Sequence, residues 1–111
     1  MTSPHESPLT VDEIIDCLRS RWHSTYDFRL IVRGDRLYLQ IMWAYLEQQS
    51  FPMDEDEYRQ NLNNIIEIIN RLGLASSVRE WVYTTPKKPR IGKALTLPLK
   101  ADERLLKEFL I

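Results

Sequence analysis

The apolar positions of this chain change period several times, and each change marks an element. Val11, Ile14, Ile15, Leu18 and Trp22 form one stripe at helical spacing. Thr10 and Glu13 make a T-x-x-E capping box in front of it. In that box the Thr10 hydroxyl accepts from the Glu13 amide and the Glu13 carboxylate reaches back to the cap. Leu9 and Ile14 stand at the two positions of a hydrophobic staple. A helix is predicted from about Val11 to about Trp22.

From Tyr26 to Trp43 the period drops to two. Gly34-Asp35 reads as a two-residue hairpin loop, because glycine supplies the positive φ such loops need. That loop sets the register. Val32 faces Leu37, Leu30 faces Leu39, Phe28 faces Ile41 and Tyr26 faces Trp43, four apolar pairs on one face. The other face carries Ile31 with Tyr38, Arg29 with Gln40 and Asp27 with Met42. Alternation fades over Ala44–Ser50, and Pro52 blocks a smooth continuation.

Asp54 then caps a second helix whose first turn is acidic through Glu57, which suits the positive end of a helix dipole. Its buried face is Tyr58, Leu62, Ile65, Ile66 and Ile69. Gly73 is its left-handed stop, with Ile69 and Leu74 as the apolar contact of a Schellman motif. Val78–Thr84, rich in Val, Trp and Tyr, reads as a third strand. Ala94–Leu99 reads as a fourth, at a sheet edge because of Pro98. Leu105, Leu106, Phe109 and Leu110 give a short last helix behind Asp102. The order α-β-β-α-β-β-α predicts a single small α+β domain over residues 9–111, with an antiparallel sheet of about four strands. Residues 1–8, with two prolines and two serines, read as a flexible tail.

A chain of 111 residues suits one domain with its own core. The net charge of −1 gives no global field for nucleic acid or acidic membranes, so any electrostatic role is local. No apolar run approaches the ~18 residues of a membrane span. The opening MTSPHESPL lacks the basic and apolar regions of a signal peptide, so a cytoplasmic location in a bacterium is expected.

The titratable side chains suggest little chemistry. A single cysteine, Cys17, excludes an internal disulfide and a cysteine zinc cage. Cys17 and His23 lie six residues apart, roughly 240° around a helix axis, and cannot form a dyad within it. Acidic residues 54–57 lack the glycine and spacing of a calcium loop. No phosphate-binding glycine motif is present. No catalytic, cofactor or metal residues are therefore assigned, and a non-enzymatic protein is expected.

Two features point to binding instead. The link Pro86–Lys93 holds Lys87, Lys88, Arg90 and Lys93 on a segment stiffened by Pro86 and Pro89. Four cations there suit an acidic protein surface or an RNA backbone; the plainer alternative is a solvated loop. The second sheet face, with Arg29 and Tyr38 and with Trp81 and Tyr83 from the third strand, resembles a base-stacking platform, although the RNP signature is absent. The plainer alternative there is a covering helix. A protein partner is the first expectation and RNA the second.

Three stretches carry a resemblance. They are WHSTYDFRL (Trp22 to Leu30), LYLQIMWAYLEQQSFPM (Leu37 to Met53) followed by Glu57-Tyr58, and KKPRIGKALTLPL (Lys87 to Leu99). With them the chain, from about Val11 to Leu99, resembles the domain-of-unknown-function family DUF3067 of cyanobacteria and chloroplasts. The resemblance implies an oxygenic phototroph, a small α+β domain and a role in building or maintaining photosynthetic complexes, with thylakoid-peripheral association. It supplies no catalytic residues.

Overall fold

Thr10 opens the first helix. In the computed structural model, which describes residues 7–100, α1 spans Val11–Trp22. The Thr10 hydroxyl accepts a 3.1 Å hydrogen bond from the Glu13 amide, and Leu9 and Ile14 are both buried. The Glu13 carboxylate does not return to the cap. It goes to Arg79, whose guanidinium offers two charge-assisted bonds where the cap amide offers one weaker bond.

Strands β1 (Tyr26–Arg33) and β2 (Arg36–Tyr45) form the predicted hairpin. Gly34 has φ 63°, the first central position of a type II′ turn. Val32, Leu30 and Phe28 pair with Leu37, Leu39 and Ile41 as the pattern predicts. The fourth pair differs: Tyr26 faces Tyr45, not Trp43, because the register shifts between Tyr26 and Phe28. Two gains accompany the shift. The Tyr26 ring makes edge-to-face contacts with Trp22 at 6.0 Å and Tyr45 at 5.8 Å. The chain beyond β2 also reaches back to Thr25. The Thr25 amide and hydroxyl donate to Glu47 Oε1 and Oε2 at 2.7 and 2.5 Å, and the Leu46 amide donates to the Thr25 carbonyl at 2.9 Å. Trp43, left out of the pairing, is 36% exposed.

The second helix, α2, spans Glu55–Arg71, with Asp54 accepting from the Glu57 amide at 2.8 Å. All five apolar residues of its predicted face are buried. Its end is a complete Schellman motif. Gly73 has φ 73°, its amide donates to Asn70, and the Leu74 amide donates to Ile69.

Residues 78–84 are not a strand. They belong to α3, Ala75–Thr84, whose buried side chains Ala75, Val78, Arg79 and Val82 recur at i, i+3, i+4 and i+7. Burial of that face outweighs the weak strand preference of Val, Trp and Tyr. Among the described residues one further strand follows, β3 at Leu95–Leu99, paired antiparallel with β2. Among the described residues the sheet therefore has three strands, in the order β1-β2-β3, not four. Pro98 lies on an edge strand as predicted. Of the expected tail over residues 1–8, residues 1–6 lie outside the described residues, as does the expected helix near the C-terminus; Pro8 is described, and its carbonyl accepts from Arg79 Nη2 at 3.3 Å.

A single apolar core joins Ile14 and Leu18 of α1, Phe28, Leu39 and Ile41 of the sheet, Tyr58, Leu62 and Ile66 of α2, and Val78 and Val82 of α3. The chain is a small α+β domain.

Candidate functional site

The link after α3 begins from a fixed point. Arg21 Nη1 and Nη2 donate to the carbonyls of Val82 and Thr85 at 2.6 Å each, closing the helix end with a cation where the dipole favours one. Pro86, Lys87 and Lys88 are exposed, and Pro89 is buried as an anchor. Arg90 and Lys93 then pair across a two-residue turn. The Arg90 amide donates to the Lys93 carbonyl at 3.1 Å and the Lys93 amide to the Arg90 carbonyl at 2.7 Å. Gly92, with φ 77°, occupies the position where a type II turn requires a positive φ. Ile91 stands at the apex, 93% exposed. Among the described residues, the side chains of Lys87, Lys88, Arg90 and Lys93 take part in no ion pair. The turn thus presents four cations around one bare aliphatic side chain.

The second predicted surface is only partly assembled. Arg29, Ile31, Tyr38 and Gln40 share the sheet face opposite Phe28, Leu39 and Ile41, and β3 extends it with Thr96 and Pro98. Trp81 and Tyr83 do not join them, because they belong to α3 and not to a strand. Trp81 packs against the core. Tyr83, 47% exposed, lines a cleft of about 860 Å³ with Glu13, Ser76 and Arg79. In that cleft Arg79 Nε and Nη2 donate to Glu13 at 2.6 and 2.9 Å, and these bonds hold the guanidinium firmly charged.

A third surface was not anticipated. The β1 edge and α2 enclose a groove of about 440 Å³, walled by Leu30, Ile31, Met53, Ile65 and Ile68, with Asn61 and Asn64 on its helical side. Asp27 lines it and is only 4% exposed. Its Oδ2 has a long 3.5 Å contact with Arg29 Nε. Its Oδ1 is buried with no hydrogen-bond partner. Burial pushes the carboxyl pKa above the usual range, and Arg29 and the Phe28 amide pull it back only in part. The available signal was an aspartate between two core aromatics in Tyr26-Asp27-Phe28. Strict alternation placed it on the mixed face opposite Met42, and the bulge removes that pairing.

Cys17 is buried, its Sγ 3.8 Å from the Val82 carbonyl, and burial raises its pKa, keeping the thiol protonated. Among the described residues, no three His, Cys, Asp or Glu side chains are grouped to hold a metal ion. No described helix is long and apolar enough to cross a membrane.

The family model described as domain of unknown function (DUF3067) matches residues 12–110. The chain belongs to the DUF3067 family. It is similar to the Alr2454 protein from Nostoc sp. strain PCC 7120, known from a solution NMR structure. The two are 37% identical, with a TM-score of 0.79 over 93% of this chain and 98% of that one. No curated protein matches the chain. The DUF3067 fold is therefore shared with a cyanobacterial relative, as the quoted stretches imply.

Proposed function

We propose that this DUF3067 domain is a non-enzymatic protein-binding module that presents the turn 86–93 to an acidic protein surface. The observation that carries the reading is Ile91, almost fully exposed at the apex of a turn flanked by Arg90 and Lys93. An exposed aliphatic side chain ringed by cations has the layout of an interface anchor with a polar rim. The buried Pro89, the Arg90–Lys93 pairing and the Arg21 clamp pre-order the turn, which lowers the entropy lost on docking. A protonated, buried Cys17 supports a non-catalytic role.

The partner in this reading belongs to the photosynthetic machinery, with the domain as an accessory or assembly factor. Family membership and the Nostoc relative support that setting by association. RNA binding draws less support, since Trp81 and Tyr83 lie on α3 and leave Tyr38 without its expected companions on the sheet.

The test is charge reversal of Lys87, Lys88, Arg90 and Lys93 to Glu, followed by capture from nuclease-treated lysate of the native phototroph. The reading predicts an unchanged circular dichroism spectrum and loss of the captured partner. Undiminished capture contradicts it, and nuclease-sensitive capture turns the assignment to RNA.

A further inference from the structure

We propose that the groove between β1 and α2 docks an extended basic segment of a partner protein, which adds as a strand to the β1 edge and places a lysine or arginine on the Asp27 carboxylate. The site is separate from the turn 86–93 and prefers the opposite charge.

Three observations converge on it. First, β1 is an edge strand that pairs only with β2 among the described residues. A two-residue turn makes Arg33 and Arg36 the hydrogen-bonded pair beside it, and bonding alternates from there. The amides and carbonyls of Phe28, Leu30 and Val32 therefore face outward, a ready template for a further strand. Second, the groove beside that edge has apolar walls in Ile31, Met53, Ile65 and Ile68, which suit the alternate side chains of an added strand. Third, Asp27 is 96% buried by its exposure of 4%, and its Oδ1 has no partner. A buried carboxylate in that state needs both a donor and a compensating charge.

The occupant follows from that need. A serine or amide would fill one lone pair but leave the buried charge with only the long Arg29 contact, whereas an ammonium or guanidinium supplies both a donor and a close opposite charge. A free metal ion lacks further ligands, since no metal-binding cluster exists among the described residues. A nucleic acid would bring phosphates to a buried carboxylate that Arg29 compensates only through one long contact. An extended chain carrying a basic residue, with apolar residues at alternate positions, satisfies the edge, the walls and the carboxylate together.

The test begins with panning a displayed library of random dodecapeptides against the full chain. Enriched peptides should carry Lys or Arg within an apolar alternation. Titrated into isotope-labelled protein, they should shift the amides of residues 27–31 and of Asn61 and Asn64. Strand addition should slow hydrogen exchange at the outward Leu30 amide and leave the inward Ile31 amide unchanged, a readout that needs no variant. Asp27→Asn should weaken binding by about tenfold or more. Charge reversal of the turn 86–93 should leave it unchanged, which separates this site from the function proposed above. Failure to enrich any peptide, shifts mapping elsewhere, equal binding by Asp27→Asn, or an unprotected Leu30 amide would each overturn the proposal.

Discussion

The Tyr58 hydroxyl donates a 2.7 Å hydrogen bond to the Tyr26 carbonyl, tying the first turn of α2 to β1 at the point where the strand register shifts. Tyr58 is 1% exposed. Burial pushes the phenol pKa far up, and the Asp27 and Glu47 carboxylates add to the effect, so the group is a neutral donor at any working pH. Tyr58→Phe keeps the ring and removes only the donor. We expect a loss of about 1–3 kcal/mol in a urea titration, the cost of leaving a buried carbonyl without that partner. A loss below about half a kcal/mol would mean that the carbonyl is readily satisfied by water.

Asp27 gives a pH signature of definite sign. Its folded pKa is raised above the ordinary 3.8, so the folded state binds the proton more tightly than the unfolded chain. Stability contributed by this group therefore falls as pH rises through the interval between those two values, and the ionised form destabilises the fold above it. Asp27→Asn removes the ionisation. The variant should be more stable than the parent at neutral pH, with the gap closing as pH drops below the ordinary value. Glu47 acts in the opposite sense. Burial pushes its pKa up, but hydrogen bonds from Thr25 and the nearby Arg19 outweigh that and hold it low. The comparison must therefore be between the two proteins at each pH, because the parent curve mixes both groups. A variant less stable than the parent at pH 7 would show that the carboxylate has a partner in solution.

Two helix ends use a left-handed residue, and only one of them is glycine. His23 closes α1 with φ 58° and Gly73 closes α2 with φ 73°. A β-carbon costs about 1–2 kcal/mol in that region, partly offset by the greater unfolded-state freedom of glycine. His23→Gly should therefore stabilise by about half a kcal/mol, and Gly73→Ala should destabilise by about one. A β-carbon at Gly73 would meet nothing within 4 Å, so a loss there reports backbone strain and not a clash. Thermal melts of the two variants moving in the same direction would contradict this account.

Much of the fold was legible because single residues fixed it. Thr10, Asp54 and Gly73 marked helix boundaries, and Gly34 set a register that placed three of the four predicted apolar pairs correctly, with Arg29–Gln40 and Ile31–Tyr38 on the other face. The fourth pair failed because a bulge leaves no local signature; it depends on Tyr26 finding Trp22 and Tyr45 in three dimensions. The misassigned strand at 78–84 had a helical signal in Ala75, Val78, Arg79 and Val82. Composition rich in β-branched and aromatic residues masked that signal. Of the proposed binding residues, the four cations of the turn stay together because chain proximity alone brings them together. Arg29 and Tyr38 share a sheet face, but Trp81 and Tyr83 went elsewhere with the helix. The Asp27 groove was invisible for a related reason: its burial comes from the packing of α2 against the bulged strand, not from any spacing along the chain.

Ile91 offers the most direct measurement on the protein-binding reading. A photoreactive amino acid in place of Ile91 would stand at the apex of the turn, where the native side chain is 93% exposed. Irradiation in the native phototroph, followed by nuclease treatment and mass spectrometry, should yield a discrete protein adduct whose cross-linked segment is rich in Asp and Glu. The adduct should disappear when Lys87, Lys88, Arg90 and Lys93 are reversed to Glu. A nucleic-acid adduct, an adduct indifferent to charge reversal, or no adduct at all would contradict the account.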